Sequence, residues 1–411
     1  MHPENKLTKP FLSNSHEKIG FDMRLQTDAA LFMGDTYNPI SNGVGIRRAR
    51  LGINTEFNEK WYGEIQVDVA NSQLKLKDAY LQFSPNQRWR LLAGNFKEGF
   101  SIESVTSSRN LTFAERANVI SAFAPSRHMG MALHYHKSLV LAMAGIHFQD
   151  VGGIKEFTAS NYNRELGNDE GISLTGRAVV MPVFNQQNSG LHFGLAGSYR
   201  TPKTDAGIAG SKRYSSRSLS AINPKKYMDT DTISQVDYVM LSGIELAAYH
   251  RNLRVQSEFI FSNVYREHAL PTEQMSGWYV FGSILLFGGT HKYKPEQGCF
   301  SQPVQGKKWG DIELAWRYDY LSLNSKGNGI IRGGESKGYT LGINYYVNNN
   351  VRIMLNYAYL THDRYANGAG SFYVGLNREG EPTKNPAEVE SKLGNAGEDY
   401  SMVSLRFEIN L

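Results

Sequence analysis

Closely spaced arginines are the residues of this chain with the clearest chemical use. Arg48 and Arg50 lie two residues apart and alternate with the apolar residues Ala49, Leu51 and Ile53. Because alternate residues of a β-strand point to opposite faces, both guanidinium groups are predicted to lie on the polar face, one above the other. A guanidinium group is planar, stays charged and matches phosphate oxygens in pairs. This spacing therefore predicts a binding surface for phosphate-like anions.

An alternative for these arginines stays open at this point. They could instead only balance Glu56, Glu64 and Asp68, acidic residues of the same and the next polar stretch. Arg47 has the opposite parity, so it is expected at the end of its strand, either reaching toward water or bonding to a loop.

Other kinds of chemistry find little support. The Gly-x-Ser-x-Gly string at 334–338 has no base and orienter at a fixed spacing, and His134 and His136 share a strand face without a third metal ligand. We therefore predict no catalytic residue, metal site or cofactor. The single cysteine, Cys299, excludes an internal disulfide, and a charge of +5 without dense basic blocks argues against nucleic-acid binding.

The elements that must position the arginines show a period of two residues. In 402–411, apolar Val403, Leu405 and Phe407 alternate with polar Arg406 and Glu408. Since ionised groups alternate with apolar ones, neither face belongs in a dry core. One face suits lipid and the other suits water, which is typical of a transmembrane barrel wall.

The whole chain of 411 residues fits this interpretation. No apolar run reaches the roughly 18 residues that a membrane-spanning helix needs. The 12% aromatic content and 40 glycines suit many strands and turns, although a soluble all-β sandwich or propeller remains the alternative architecture. We predict an all-β, closed antiparallel transmembrane β-barrel of about 16 strands in one domain, 18–411, after an N-terminal segment, 1–17. The predicted strands are 18–31, 45–57, 61–70, 74–83, 88–96, 129–136, 139–149, 171–181, 190–200, 234–250, 253–266, 276–287, 309–322, 338–347, 350–361 and 399–411.

The connections alternate between short and long. Short turns such as 58–60 alternate with long links, which predicts tight periplasmic turns and long outer loops. Met1 is followed by no apolar secretory segment, so an exported protein would here be in its mature form. The long links are 97–128, 150–170, 201–233, 288–308 and 362–398.

Several phrases follow one another along the sequence: Gly45-Ile-Arg-Arg-Ala-Arg-Leu-Gly52, Leu76-Lys-Asp-Ala-Tyr-Leu81, Ala124-Pro-Ser-Arg127, Trp309-Gly-Asp-Ile-Glu313 and the stretch 342–357. Together they resemble the phosphate-selective porin O and P family of Gram-negative bacteria. The resemblance covers most of the chain from about residue 18. The chain departs from the family's pattern at Gly99, where the family often has proline, and at Leu411, where an aromatic residue is commoner.

The resemblance implies a trimeric barrel of 16 strands whose third outer loop folds inward and narrows the pore. In this chain that constriction loop is 97–128, and Asp78 becomes a candidate for the acidic residue that keeps the pore from binding anions too tightly. Strand parity adds Arg177 and Arg200 to the predicted wall. The loop itself carries Lys97, Arg109, Arg116 and Arg127 against Glu98, Glu103 and Glu115.

The predicted function is passive diffusion of small anions, phosphate or polyphosphate first, through an arginine- and lysine-lined porin of the bacterial outer membrane. The expected partners are these anions, outer-membrane lipid and two further copies of the chain, without nucleic acid. A general porin, or an adhesin or assembly scaffold acting through its long loops, is the alternative function.

Overall fold

A closed sheet of sixteen antiparallel strands makes up the protein, which confirms the predicted fold class. The computed structural model describes residues 10–13, 17–34, 40–149, 151, 171–182, 184–185, 189–202, 210–217, 219–366, 372–373, 375–388 and 397–411. The sheet closes because its first strand pairs with both the second and the last strand. Closure leaves no strand edge unpaired, as a lipid environment requires.

We number the strands of the barrel β1 to β16 in chain order. Each predicted strand coincides with one of them, and the ends differ by at most three residues except in β14, which begins six residues before its predicted start. The first eight are β1 Lys18–Met33, β2 Gly43–Glu56, β3 Trp61–Asp68, β4 Lys75–Phe83, β5 Trp89–Lys97, β6 Arg127–Lys137, β7 Val140–His147 and β8 Ser173–Val180. The other eight are β9 Ser189–Arg200, β10 Val236–His250, β11 Leu253–Arg266, β12 Glu273–Leu285, β13 Asp311–Asn324, β14 Arg332–Tyr346, β15 Val351–His362 and β16 Tyr400–Asn410.

The outer face of the wall is apolar and exposed. Leu195 on β9 and Leu341 on β14 are 63% and 61% exposed, and many other large apolar side chains share their orientation. Such a surface is unstable in water but suits the hydrocarbon of a bilayer. Paired outward aromatic rings lie toward both ends of the wall, including Trp89 with Tyr135, Trp309 with Tyr345, Tyr238 with Tyr265, and Trp278 with Tyr318.

The two ends of the barrel differ in the length of their connections. The turn end carries short links such as 57–60, 138–139 and 347–350, whereas the loop end carries 98–126 and 201–235. The link 288–308, predicted as an outer loop, leaves from the turn end, because it joins β12 to β13. That prediction was wrong, since length alone does not tell which end a link belongs to.

Among the described residues, three segments fold into the interior of the barrel. The link 98–126 contains two short helices, α1 Ile102–Val105 and α2 Asn118–Phe123. From the loop end, 210–235 packs over α2 and contains the paired strands Ser215–Ser216 and Met228–Asp229. From the turn end, the hairpin of Thr290–Lys294 and Cys299–Val304 folds back inside.

Shorter elements complete the described structure. Pro10–Ser13 pairs with β1, and Phe184–Asn185 pairs with β9. Single 3-10 turns occupy Ala70–Ser72 and Pro386–Glu388, and small strand pairs join Tyr365–Ala366 to Phe372–Tyr373 and Gly375–Leu376 to Pro382–Thr383. Within the described part of the chain, no helix is long and apolar enough to cross a membrane.

Candidate functional site

The inserted link 98–126 is fixed to the wall opposite the strands from which it leaves. Asn344 on β14 donates a hydrogen bond to the carbonyl of Thr112 at 2.8 Å. Asn356 on β15 accepts one from the N–H of Ala114, also at 2.8 Å. The backbone of the link therefore finds in the wall the partners that a buried chain needs.

Carboxylates of the wall hold the beginnings of both short helices. Glu258 on β11 accepts the N–H groups of Ile102 and Glu103 at 3.1 and 2.9 Å. Asp319 on β13 accepts the N–H of Asn118 at 2.7 Å. These bonds satisfy N–H groups that have no partner within a helix. The helices are therefore fixed at defined positions in the interior.

Between the inserted link, the loop 210–235 and the strands β2, β5 and β6 lies a polar cavity of about 490 Å³. Its charged lining is strongly biased, because six cationic side chains face a single carboxylate. The cations are Arg47, Lys97, Arg116, Arg127, Arg217 and Lys226, and the carboxylate is Glu115. Hydroxyl groups of several serines, among them Ser121, Ser126 and Ser215, complete the lining.

Two of these cations bond to backbone carbonyls instead of a carboxylate. The Nζ atom of Lys97 donates to the carbonyls of Ser104 and Thr106 at 2.6 and 3.2 Å. The guanidinium group of Arg116 donates to the carbonyls of Glu103 and Thr106 at 3.1 and 2.8 Å. A carbonyl carries no net charge, so these bonds neutralise neither group.

Arg116 stays charged despite its surroundings. Burial lowers its pKa to about 10, the nearby Glu103 and Glu115 raise it, and Arg127 and Arg50 lower it again. A pKa of about 10 is far above neutral pH. Arg116 therefore contributes a full positive charge next to two further cations.

Two other cations of the cavity are paired with carboxylates. Arg47 contacts Glu115 through Nε and Nη2 at 2.5 and 2.9 Å. Arg127 contacts Asp78 through Nε and Nη2 at 3.0 and 2.6 Å. Each two-point contact fixes the orientation of its guanidinium group and offsets much of its charge.

Arg47 does not lie at a strand end as expected. The register of β1 and β2 shifts where Gln26 pairs with Arg48 and Thr27 pairs with Ile46. This β-bulge leaves Arg47 unpaired in the ladder and lets it reach Glu115 inside the barrel. The expected bond to a loop is present, but its cause is the bulge.

Arg48 and Arg50 both lie on the inner face, as their parity predicts. Arg48 is 4% exposed and donates to the side-chain oxygen of Gln26 at 2.6 Å, and among the described residues it has no carboxylate hydrogen-bond partner. Arg50 donates to Asp68 on β3 at 3.0 Å. The alternative of local charge balance thus applies to Arg50 and Asp68, while Arg48 is held by an amide.

The remaining predicted cations form ion pairs away from the cavity lining. Arg177 is fully buried and contacts Glu245 through two nitrogens at 2.8 and 2.7 Å. Arg200 contacts both carboxylate oxygens of Glu98, and Arg109 forms an ion pair with Asp22. The contacts of Arg200 and Arg109 join the inserted link 98–126 to the wall, whereas Arg177 and Glu245 connect two strands of the wall.

Other cations emerge only from the structure. Arg217 and Lys226, both exposed on the loop 210–235, line the cavity. Arg24 lies on the inner face of β1 and donates to the hydroxyl of Ser108 at 2.6 Å. The parity of Arg24 could have identified it, whereas the inward course of 210–235 left no signal in the sequence. His134 and His136 belong to no group of three metal-ligating residues in the described ranges.

Comparison with known proteins places the chain among porins. The family model described as "Phosphate-selective porin O and P" matches residues 19–372. Porin O of Pseudomonas aeruginosa is 22% identical over 380 residues, which cover 84% of each chain. An uncharacterized protein of Caulobacter vibrioides is 25% identical over 325 residues, 78% of this chain, and the match spans only 63% of that relative's length.

Solved structures with the same fold are outer-membrane proteins of low sequence identity. The anion-selective porin from Comamonas acidovorans has a TM-score of 0.56 at 11% identity, covering 96% of this chain and 100% of its own. The trimer form of OmpT, an outer membrane protein of Vibrio cholerae, has a TM-score of 0.55 at 12% identity, with the same coverage. At these identities the likeness shows the fold alone.

Proposed function

The chain belongs to the phosphate-selective porin O and P family, and on that premise we propose that its outer-membrane channel conducts small anions, phosphate and its short polymers first. Family and fold point to a channel of the bacterial outer membrane, not to an enzyme. The turn end then faces the periplasm, and the loop end faces outward.

The charge bias of the polar cavity is the observation that carries the proposal. Six cations and one carboxylate line a space that lies on the loop-end side of the pore. A phosphate ion that enters a narrow pore loses part of its hydration shell, and charged donors must replace those contacts. Lys97 and Arg116 supply such donors, and in the described part of the chain neither forms a hydrogen bond to a carboxylate.

The ion pairs in the same region favour passage of an anion through the pore instead of tight binding of that anion. A pore must attract an ion strongly enough to admit it and weakly enough to release it. Asp78 bonds to Arg127 and Glu115 bonds to Arg47, so ion-paired cations lie beside cations that bond to neutral carbonyls. We propose that this mixture makes several shallow sites for phosphate instead of one deep site.

Planar-bilayer recording of the purified protein tests the proposal. In a salt gradient we expect a reversal potential that reports anion selectivity, and we expect added phosphate to block part of the chloride current. A conducting channel with cation selectivity would contradict the proposal. A scaffold with a plugged interior would show no steady conductance, which would contradict the channel itself.

We also propose that three copies of the chain form the functional channel in the lipid of the outer membrane. Support comes from the family resemblance and from the Vibrio cholerae neighbour, which is described as a trimer. Light scattering in detergent, corrected for bound detergent, should give about three times the 46.1 kDa of one chain. A protein mass of one chain would contradict this assembly.

A further inference from the structure

The hairpin that enters from the turn end fills part of the barrel beneath the inserted link 98–126. Tyr293 and Phe300 are 4% and 1% exposed and belong to one apolar cluster with Ile102 of α1 and wall residue Leu141. The guanidinium carbon of Arg254 on β11 lies 3.6 Å from the centre of the Phe300 ring. The hairpin therefore joins the wall and the inserted link in a single packed unit.

Hydrogen bonds from the wall hold the tip of the hairpin. Arg177 donates to the carbonyls of Gln297 and Gly298 at 3.2 and 2.7 Å. Arg90 on β5 donates to the carbonyl of Glu296. Because β5 and β8 are separated by two strands, the tip reaches across a section of the interior. That section is closed to permeating ions wherever the hairpin fills it.

One carboxylate holds together the two ends of the hairpin, which we call its base. Asp311, the first residue of β13, is fully buried, and its Oδ1 atom accepts the N–H of Phe287 at 3.0 Å and that of Ile312 at 2.8 Å. Its Oδ2 atom accepts the N–H groups of Gly289 and Gly306 at 2.8 and 2.9 Å. Three N–H donors from the two ends of the hairpin and the N–H of the neighbouring Ile312 thus converge on one side chain.

The two glycines allow this convergence. A β-carbon at Gly289 would collide with the Asp311 carboxylate and with the carbonyl of Val304. A β-carbon at Gly306 would collide with the carbonyl of Phe287. Only glycine lets the two ends approach so closely. The base is therefore built around the carboxylate, and no cation competes for it among the hydrogen bonds of the described chain.

We propose that Asp311 is the positioning residue that keeps the hairpin inside the barrel, and that it thereby determines how wide the pore is at the turn end. This inference deepens the proposed function, because pore width matters only in a channel. The position of the hairpin itself does not depend on the ion that is conducted.

Replacing Asp311 by asparagine should release the base. An amide keeps one accepting oxygen and replaces the other by an NH₂ group, which would face two N–H donors that then have no acceptor. Buried donors left without a partner are unfavourable, and bonds to a charged group are stronger than average. We therefore expect the hairpin to leave its position far more often in Asp311→Asn.

The chain carries its own reporter for this movement. Cys299, its single cysteine, lies in the second strand of the hairpin and is 3% exposed. Labelling with N-ethylmaleimide, followed by mass spectrometry, should be slow in the native protein. We expect Asp311→Asn to label at least about ten times faster, the factor that corresponds to ~1.4 kcal/mol of local opening. Its single-channel conductance should rise as well.

A matched control and a second variant keep the test decisive. Asp237→Asn removes an exposed carboxylate on β10 and should label and conduct as the native protein does. If Asp311→Asn fails to form the heat-modifiable barrel, Gly289→Ala disturbs the same base and takes its place. Native labelling of Cys299 in the folded variant would overturn the inference. Faster labelling with native conductance would refute the effect on pore width.

The two proposals fail in different ways. If the native protein and every variant lack conductance, the proposed function is wrong, yet the labelling rates still decide whether Asp311 holds the hairpin. If the native channel conducts anions but Asp311→Asn labels no faster, the channel stands and the role of Asp311 does not.

Discussion

Removing the charge of Arg116 should weaken phosphate block more than any change at an ion-paired cation. Arg116→Gln keeps a side chain that donates to the carbonyls of Glu103 and Thr106, which the guanidinium group contacts at 3.1 and 2.8 Å. The inserted link should therefore stay in position. What disappears is one positive charge beside Lys97 and Arg127 in the lining of the cavity.

The size of the effect follows from Coulomb's law. A unit charge ~6 Å from an anion contributes ~0.7 kcal/mol in bulk water and ~3 kcal/mol at an effective dielectric constant of ~20. The interior of a narrow pore lies between these limits, so we take ~1.4 kcal/mol, which corresponds to about tenfold in affinity. The half-blocking concentration of phosphate for chloride current should thus rise about tenfold.

Three variants recorded under the same salt conditions make the assay specific. Arg116→Lys keeps the charge and should restore most of the block. Arg88→Gln removes an exposed arginine from the short turn that follows β4 and should leave the half-blocking concentration unchanged. If the half-blocking concentration of phosphate is the same in Arg116→Gln and Arg88→Gln, the cavity cations do not bind the permeating anion. Our reasoning would then be wrong.

Further predictions concern the wall, the ion pairs and the hairpin. Replacing Arg48 and Arg50 by glutamate should shift the reversal potential toward cation selectivity, because both lie on the inner face; an unchanged potential would exclude a pore role. Asp78→Asn should free the charge of Arg127, so phosphate should bind about tenfold more tightly and leave more slowly, as longer blocking events would show. Burial lowers the pKa of His291 to about 4, so the packing of the neutral ring is intact above pH ~6.5 and weakens as pH falls toward 4; open-channel noise should increase over that range and stay constant in His291→Gln.

The strands of the barrel could be predicted from the sequence because the alternation of apolar and polar residues within each strand identifies it. Lipid on one side and water on the other impose alternation on every strand, and the residues of β16 show it almost without exception. The pairing of β1 with β16, which closes the barrel, could not be predicted in this way. No local pattern in β1 indicates that Arg24 pairs with Asn410. Knowledge of the barrel class supplied that step.

The position of the cations was predictable only where the period of two holds. Arg48 and Arg50 were placed on the inner face correctly, but the β-bulge that turns Arg47 inward depends on a register shift against β1. A bulge involves two strands at once, so the sequence of one strand does not show it. The link 288–308 between β12 and β13 was assigned to the wrong end of the barrel for a similar reason, because its end follows from the number of strands before it.

Partners of the arginines were the least predictable feature. Arg50 and Asp68 pair directly across β2 and β3, which a correct register would have shown. Arg200 and Glu98 meet because the inserted link returns to the wall, and Arg177 meets Glu245 two strands away. Such contacts depend on the three-dimensional course of the inserted segments. The sequence therefore identifies candidate cations without telling which of them are neutralised.

That distinction bears on how the channel would work. If every inner arginine were unpaired, mutual repulsion and desolvation would make the interior unstable, and an anion that entered would be held tightly. If every one were paired, the pore would have no reason to prefer anions. In this chain the carboxylate partners go mainly to cations that anchor inserted segments, such as Arg177 and Arg200, whereas Lys97 and Arg116 bond to neutral carbonyls. The contacts that fix the interior thus leave Lys97 and Arg116 bonded to neutral carbonyls in the lining of the cavity.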